Sequence, residues 1–146
     1  MGPEGYACKD PATVTSDDFV YTGYRFGEVR LCSGGVIPAH SHRTSEVLIV
    51  AKGTIIAGFI DTNNTAYYKK LEVSDVMMFP QAMLHFQVNV GKTPALAFVS
   101  LNGANPGLQI TSSSLFEGNL PGEIAEQISL LSHQEVTRMK KLFGTT

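Results

Sequence analysis

The sequence predicts an all-β domain, a barrel or sandwich of short strands followed by a short C-terminal pair of helices. Three observations predict it. Between Glu28 and Ile110 the chain is a series of β-branched and aromatic runs of strand length, cut by Gly, Pro, Asn and Asp. No helical periodicity is interleaved with them, as a parallel sheet would require. Amphipathic helical spacing appears only after residue 119. A chain of 146 residues is long enough for one hydrophobic core and points to a single domain.

Residues 1–27 are rich in Gly, Pro and turn formers such as Lys9-Asp10-Pro11 and Ser16-Asp17-Asp18, and read as an irregular arm. Strands follow at Val47–Ala51, Thr54–Ile60, Ala66–Val73, Val76–Phe79, Leu84–Val88 and Ala95–Leu101. Their breaks are turn sequences: Lys52-Gly53, Asp61–Thr65, Ser74-Asp75, and Asn89-Val90-Gly91-Lys92 ahead of Pro94. Closely spaced short strands indicate a sandwich or barrel. At the C-terminus, Glu123–Leu131 places Ile124, Ile128 and Leu131 on one helical face. Ser132-His133-Gln134-Glu135 has the form of a capping box, with Ser at the N-cap and Glu three residues on. The helix it opens carries Val136, Met139 and Phe143 on one side. Arg138, Lys140 and Lys141 lie near its C-terminal end, where positive charge is favoured, and Gly144 stops it.

Apolar residues make up 43% of the chain and charged residues 16%, against about 25% charged in an average globular protein. This composition describes a folded, low-charge protein prone to self-association. The formal net charge is −2, and basic residues are scattered apart from Lys69-Lys70 and Lys140-Lys141. That excludes the electrostatic footprint of a nucleic-acid binder and a polybasic membrane patch. No run approaches the roughly 18 apolar residues of a membrane span. Met1-Gly2-Pro3-Glu4-Gly5 lacks the basic and apolar regions of a signal peptide. Read alone, this fits a cytosolic chain or one whose export signal is already removed. Cys8 and Cys32 fit one disulfide or two free thiols equally well.

Candidate chemistry is concentrated in four residues. In an extended segment His40, His42 and Glu46 share one face, because alternate side chains point the same way. Successive same-face positions lie about 6.6–7 Å apart, near enough for two imidazoles to converge on one ion. Glu46 stands at the lip of the apolar run Val47-Leu48-Ile49-Val50, where a carboxylate needs a partner. His85 follows in a later strand and would supply a fourth ligand across the barrel. Taken singly, His40 and His42 also fit an exposed or hydrogen-bonded pair, and His85 a satisfied core histidine. Together they gather three of the four histidines with one acid. His133, at the start of a surface helix, reads as an exposed residue. Three imidazoles and a carboxylate suit Mn, Fe, Ni, Cu or Zn, and ligand chemistry alone does not choose among them. Asn89 lies on the strand face of His85, where it would orient water or oxygen at the ion, or serve the turn before Gly91.

Gly34, five residues, His40-Ser41-His42, three residues, Glu46, six residues and Gly53 resemble the first germin box of the cupin superfamily at every signature position. The second box of that family runs Gly, five residues, Pro, one, Gly, two, His, three, Asn. Here it reads Ser74, Pro80, Ala82, His85 and Asn89 at those spacings, so both glycines are replaced. Gly5-Tyr6-Ala7-Cys8-Lys9-Asp10-Pro11 through Asp17-Asp18-Phe19 looks like a mature germin-like amino terminus. Val90-Gly91-Lys92-Thr93-Pro94-Ala95 and Asn105-Pro106-Gly107 look like the later strands of the family. The resemblance covers nearly the whole chain and is to plant germin-like proteins, the auxin-binding-like group in particular. Two departures stand out. A signal peptide and an earlier cysteine that pairs with the position of Cys8 are absent from this sequence. Between Tyr24 and Glu28 the chain is short by a few strands' worth of residues, which bears on barrel closure and assembly.

The resemblance implies a cupin-type jelly-roll barrel at residues 28–118, with the arm at 1–27 before it and a helical extension at 119–146. It implies manganese at His40, His42, Glu46 and His85, superoxide dismutation with Glu46 stabilising the more charged oxidation state, a homo-hexamer built as a trimer of dimers, and secretion to the plant apoplast. Oxalate oxidation, known in true germins, relies on an asparagine three residues before the first ligand histidine; Ile37 stands there and cannot donate a hydrogen bond. A non-enzymatic module, either an auxin-binding-like one gripping a carboxylate ligand through the metal or a storage protein, is the alternative class. Asn63-Asn64-Thr65 is an N-glycosylation sequon in a polar turn, usable in a secreted chain.

Overall fold

The computed structural model describes residues 28–144, together with Thr13 and Thr15. The expected arm at 1–27, the shortened stretch after Tyr24, and Cys8 lie outside the described residues, apart from those two threonines. Among the described residues nine strands form two antiparallel sheets, in the manner of a jelly roll. They are β1 (Glu28–Leu31), β2 (Val36–Ser41), β3 (Glu46–Lys52), β4 (Ile55–Ile60), β5 (Ala66–Leu71), β6 (Val76–Phe79), β7 (Leu84–Asn89), β8 (Ala95–Leu101) and β9 (Gln109–Ile110). One sheet has the order β1-β8-β3-β6 and the other β5-β4-β7-β2-β9.

Alternation along the strands decides which side chains enter the space between the sheets. On β3, Leu48 and Val50 are buried and Ile49 between them is exposed. On β4, Ile55 and Ala57 face inward, and Leu71, Phe79, Ala95 and Ala97 complete the core from their own strands. A fully buried Leu or Ile contributes about 1.5–3 kcal/mol, so this cluster holds the sheets together. Strand β7 inverts the rule. Its buried residues are His85, Gln87 and Asn89, while Leu84, Phe86 and Val88 take the less buried side.

The turns match their sequence signals. Asp61 closes the β4–β5 hairpin by accepting the backbone N–H groups of Asn63 and Thr65 at 2.9 and 2.8 Å, and Asn64 adopts positive φ there. Cys32, after β1, is exposed and free.

Past the barrel lie α1 (Thr111–Phe116), α2 (Gly122–Ser129) and α3 (His133–Leu142). The expected helical pair is α2 and α3, and the capping box of Ser132 and Glu135 is fully formed. Two points differ from the sequence expectation. Helix α1 carried no sequence signal; its residues Thr111-Ser112-Ser113-Ser114 are poor helix formers, and burial of Phe116 against Ala125 and Val136 holds it. Helix α2 buries Ala125 rather than Ile124 and Ile128, which remain 43% and 58% exposed. The helices meet at the small residue, which a reading weighted toward large apolar side chains overlooks.

Candidate metal centre

The chain reaches His40 at the end of β2, passes His42 just beyond it, and crosses from one sheet to the other before Glu46 opens β3. One extended segment would put His40, His42 and Glu46 on a single face by strand alternation; the structure differs. The three converge across the gap between the sheets because the chain bends at Arg43–Ser45. His85, on β7, is the direct cross-strand neighbour of His40. Two sheets therefore supply the cluster, and the four residues come together as expected although the route differs.

His40 and His85 are buried at 3% and 2% exposure, Glu46 at 4%, and His42 is half-buried at the mouth. One donor atom from each of the four residues falls in a group whose members lie within 4.8 Å of one another. His42 Nε2 is 3.2 Å and His85 Nε2 3.4 Å from the same Glu46 oxygen, Oε2. The ring centroids of His40 and His85 are 4.1 Å apart. Phe79 of β6 stacks on His85 at 4.6 Å and forms the apolar floor.

Hydrogen bonding fixes what these rings offer. His40 Nδ1 donates to the Pro38 carbonyl at 2.8 Å, His85 Nδ1 to the Met83 carbonyl at 2.9 Å, and His42 Nδ1 to the Gly107 carbonyl. A carbonyl oxygen only accepts, so each ring carries a proton on Nδ1, and a neutral ring so held turns an Nε2 lone pair inward. With neutral rings the cluster is three lone pairs and a carboxylate, a set of acceptors facing one another. His85 Nε2 is buried and, despite its 3.4 Å approach to Glu46, makes no hydrogen bond. Burial also pushes the His40 imidazole below its ordinary pKa range; His85 and His42 push the same way, while the Pro38 hydrogen bond and Glu46 act against it. Neutral imidazoles and an ionised carboxylate are the forms that bind a cation. An ion of the Mn, Fe, Ni, Cu or Zn type fits this donor set.

Asn89 takes the turn role. Its Nδ2 donates to the carbonyls of Leu31, Cys32 and Thr93, and its Oδ1 accepts from Gly91 N–H. It lies at the opposite end of β7 from the cluster. His133 is exposed and pairs with Glu126 at 2.7 Å. Ile37 is half-buried and packs against the core, offering no donor. Two features escaped the sequence reading. Gln87 is buried on the inward face of β7, two residues from His85, with Oε1 lacking a hydrogen-bond partner. Strand parity with His85 was the available signal. The loop at Asn105-Pro106-Gly107 supplies the carbonyl for His42, a long-range contact that no local pattern reveals.

A small jelly roll with a His, His, Glu, His cluster between its sheets defines a cupin of the metal-binding type. The chain belongs to the cupin family, whose model matches residues 13–136, and within it to the germin-like proteins. It is 42% identical to "Auxin-binding protein ABP19a" of Prunus persica, over 99% of this chain and 84% of that one. It is 41% identical to "Germin-like protein subfamily 3 member 3" of Arabidopsis thaliana, over 100% of this chain and 84% of that one. A solved oxalate oxidase superposes with a TM-score of 0.77 at 30% identity, covering 80% of this chain and 61% of the oxidase.

Proposed function

We propose that this chain is a manganese protein that dismutes superoxide, with His40, His42, Glu46 and His85 holding the ion. The carrying observation is the four-residue cluster: three imidazoles held at Nδ1 by backbone carbonyls and one carboxylate, with His42 and His85 Nε2 3.2 and 3.4 Å from Glu46 Oε2. Bound manganese would supply one-electron exchange, by which one superoxide is oxidised to dioxygen and a second, taking two protons, is reduced to hydrogen peroxide. The chain itself contributes charge and shape. Glu46 offsets the positive charge of a higher oxidation state. The three backbone carbonyls hold the imidazoles in one tautomer, so little reorganisation accompanies electron transfer. A cleft lined by Ser41, Arg43, Ala82, Gly107 and Gln109 opens beside half-buried His42. Arg43 gives its rim a positive charge that favours a small anion.

Oxalate turnover is the weaker enzymatic reading, because Ile37 packs into the core where a donor to substrate would be needed. A second reading, capture of a carboxylate ligand without turnover, is favoured by the likeness to auxin-binding proteins. The reading extends to a secreted, apoplastic glycoprotein that assembles with copies of itself as a hexamer. Asn63 of the sequon is exposed at the tip of the β4–β5 hairpin. The outer face of the four-stranded sheet exposes Ile49, Val76, Met78 and Phe98 on adjoining strands, an apolar patch of the kind that marks an interface. No helix of the described residues is long and apolar enough to cross a membrane.

The test is metal analysis with superoxide and oxalate assays on wild type and His40→Ala. Wild type should carry manganese and dismute superoxide, and the variant should lose both. Metal content unchanged in His40→Ala would sink the site. Manganese without superoxide turnover, or tightly held zinc, which has no redox chemistry, would replace dismutation by ligand capture.

A further inference from the structure

Each of the three histidines is oriented by a backbone carbonyl, but the carbonyls differ in origin. Pro38 and Met83 lie two residues before His40 and His85, on the same stretches of chain. His42 depends on Gly107, 65 residues away in the loop between β8 and β9. Its tautomer is therefore only as secure as the hold on that loop.

The hold comes from the segment that crosses between the sheets. Arg43 N–H donates to the Pro106 carbonyl at 2.7 Å. The Arg43 side chain donates from Nε to the Asn105 carbonyl at 3.2 Å and from Nη2 to Asn105 Oδ1. Gly107 has φ +63, and a Cβ there would meet Arg43 Cζ at 3.0 Å, so the glycine lets the guanidinium lie against the loop backbone. At the loop's start, Asn102 Oδ1 accepts from Ser45 N–H at 2.9 Å. The β6–β7 turn grips the other side: Ala82 N–H donates to the His42 carbonyl at 3.1 Å and Gln81 Nε2 to the Arg43 carbonyl at 2.8 Å. Arg43 thus clamps the loop whose carbonyl orients the residue beside it.

We propose that Arg43 and Asn105 are positioning residues for His42: their fork of hydrogen bonds seats the Gly107 carbonyl on Nδ1 and keeps the Nε2 lone pair turned toward Glu46. The importance of the pair for an ion rests on the metal-binding reading above; its control of the His42 tautomer does not. Arg43 and Asn105 are both exposed, so truncating them removes surface groups and leaves the core intact.

The experiment compares wild type, Arg43→Ala, Asn105→Ala and Asn105→Asp, each checked for an unchanged circular dichroism spectrum. Two readouts are taken: manganese(II) affinity by chelator competition, and the His42 tautomer by long-range proton–nitrogen correlation on nitrogen-15-histidine protein without added metal. Arg43→Ala and Asn105→Ala should weaken manganese binding about 10-fold or more, within the range for lost ligand-orienting partners. In both, His42 should shift from the Nδ1–H form to a mixture, while His40 and His85 stay as they are. Asn105→Asp keeps an acceptor for the guanidinium and should restore both readouts. Alanine variants with wild-type affinity and an unmixed His42 tautomer would overturn the clamp. If wild type binds manganese no better than His40→Ala, the metal reading fails instead, and the tautomer readout still decides the clamp.

Discussion

Ser74 and Ala82 occupy the two places where the second germin box has glycine, and both adopt left-handed backbone, with φ of 77 and 64. The first-box glycines, Gly34 and Gly53, show the same feature at φ 71 and 84. The motif's glycines are thus conformational, and this chain keeps the conformation while giving up the residue suited to it. An L-residue held there costs about 1–3 kcal/mol, of which a glycine recovers part after its larger unfolded-state entropy is counted. Ala82→Gly should therefore stabilise the protein by about 0.5–1 kcal/mol, seen as a higher urea midpoint at unchanged m-value. A lower midpoint would mean that the turn holding the His42 carbonyl needs the methyl group. At this scale the site was legible as residue types at fixed spacing. Overlooked was the burial of Gln87, which strand alternation puts on the face of His85 and therefore inward once His85 is a ligand. On β7 the polar face goes in.

At the scale of elements, α3 was readable from four letters, since a capping box is a local hydrogen-bond pattern. Ser132 Oγ accepts from Glu135 N–H while the Glu135 carboxylate accepts from Ser132 N–H at 2.8 Å and from Ser132 Oγ–H at 2.7 Å. Ser132→Ala should cost about 1 kcal/mol, measured by urea denaturation near pH 7. The hydrogen bonds from the Ser132 side chain and backbone also hold the Glu135 carboxyl below its ordinary range. A carboxylate depressed in the folded state stabilises at pH above its unfolded value, and that contribution is lost as pH falls through the folded value. The gap between wild type and Ser132→Ala should accordingly narrow in acid; a pH-independent gap would assign the whole effect to the hydroxyl's bond from Glu135 N–H. The opposite case is the segment from His40 to Glu46. Its strand parity was readable, but the bend at Arg43–Ser45 is made by partners from distant sequence, Asn102, Asn105 and Pro106. An uninterrupted strand was the simplest local reading and the wrong one. That it still picked the four residues that lie together in the structure reflects the fixed spacing of the motif more than the geometry assumed for it.

For the molecule as a whole, the placement of β3 to β8 followed from composition, whereas β1, β2 and β9 and the order of the strands within the sheets did not. β1 pairs with β8, and β9 with β2, and alternation carries no information about a partner so far along the chain. That order matters to the site because it puts Glu46 in one sheet and His40 and His85 in the other. An ion at the cluster would tie the sheets together as well as serve chemistry, and since the unfolded chain cannot assemble the four donors, ion binding must appear as folding stability. At free metal about 100-fold above its dissociation constant the gain is about 2.7 kcal/mol. For a chain of this size that corresponds to a rise in melting temperature of about 5–10 °C. Wild type should melt higher by that amount in manganese than in chelator, and His40→Ala should melt at the same temperature in both. Equal melting of wild type in the two buffers would remove the ion as a tie between the sheets. A shift retained by His40→Ala would place the bound ion somewhere other than between β2, β3 and β7.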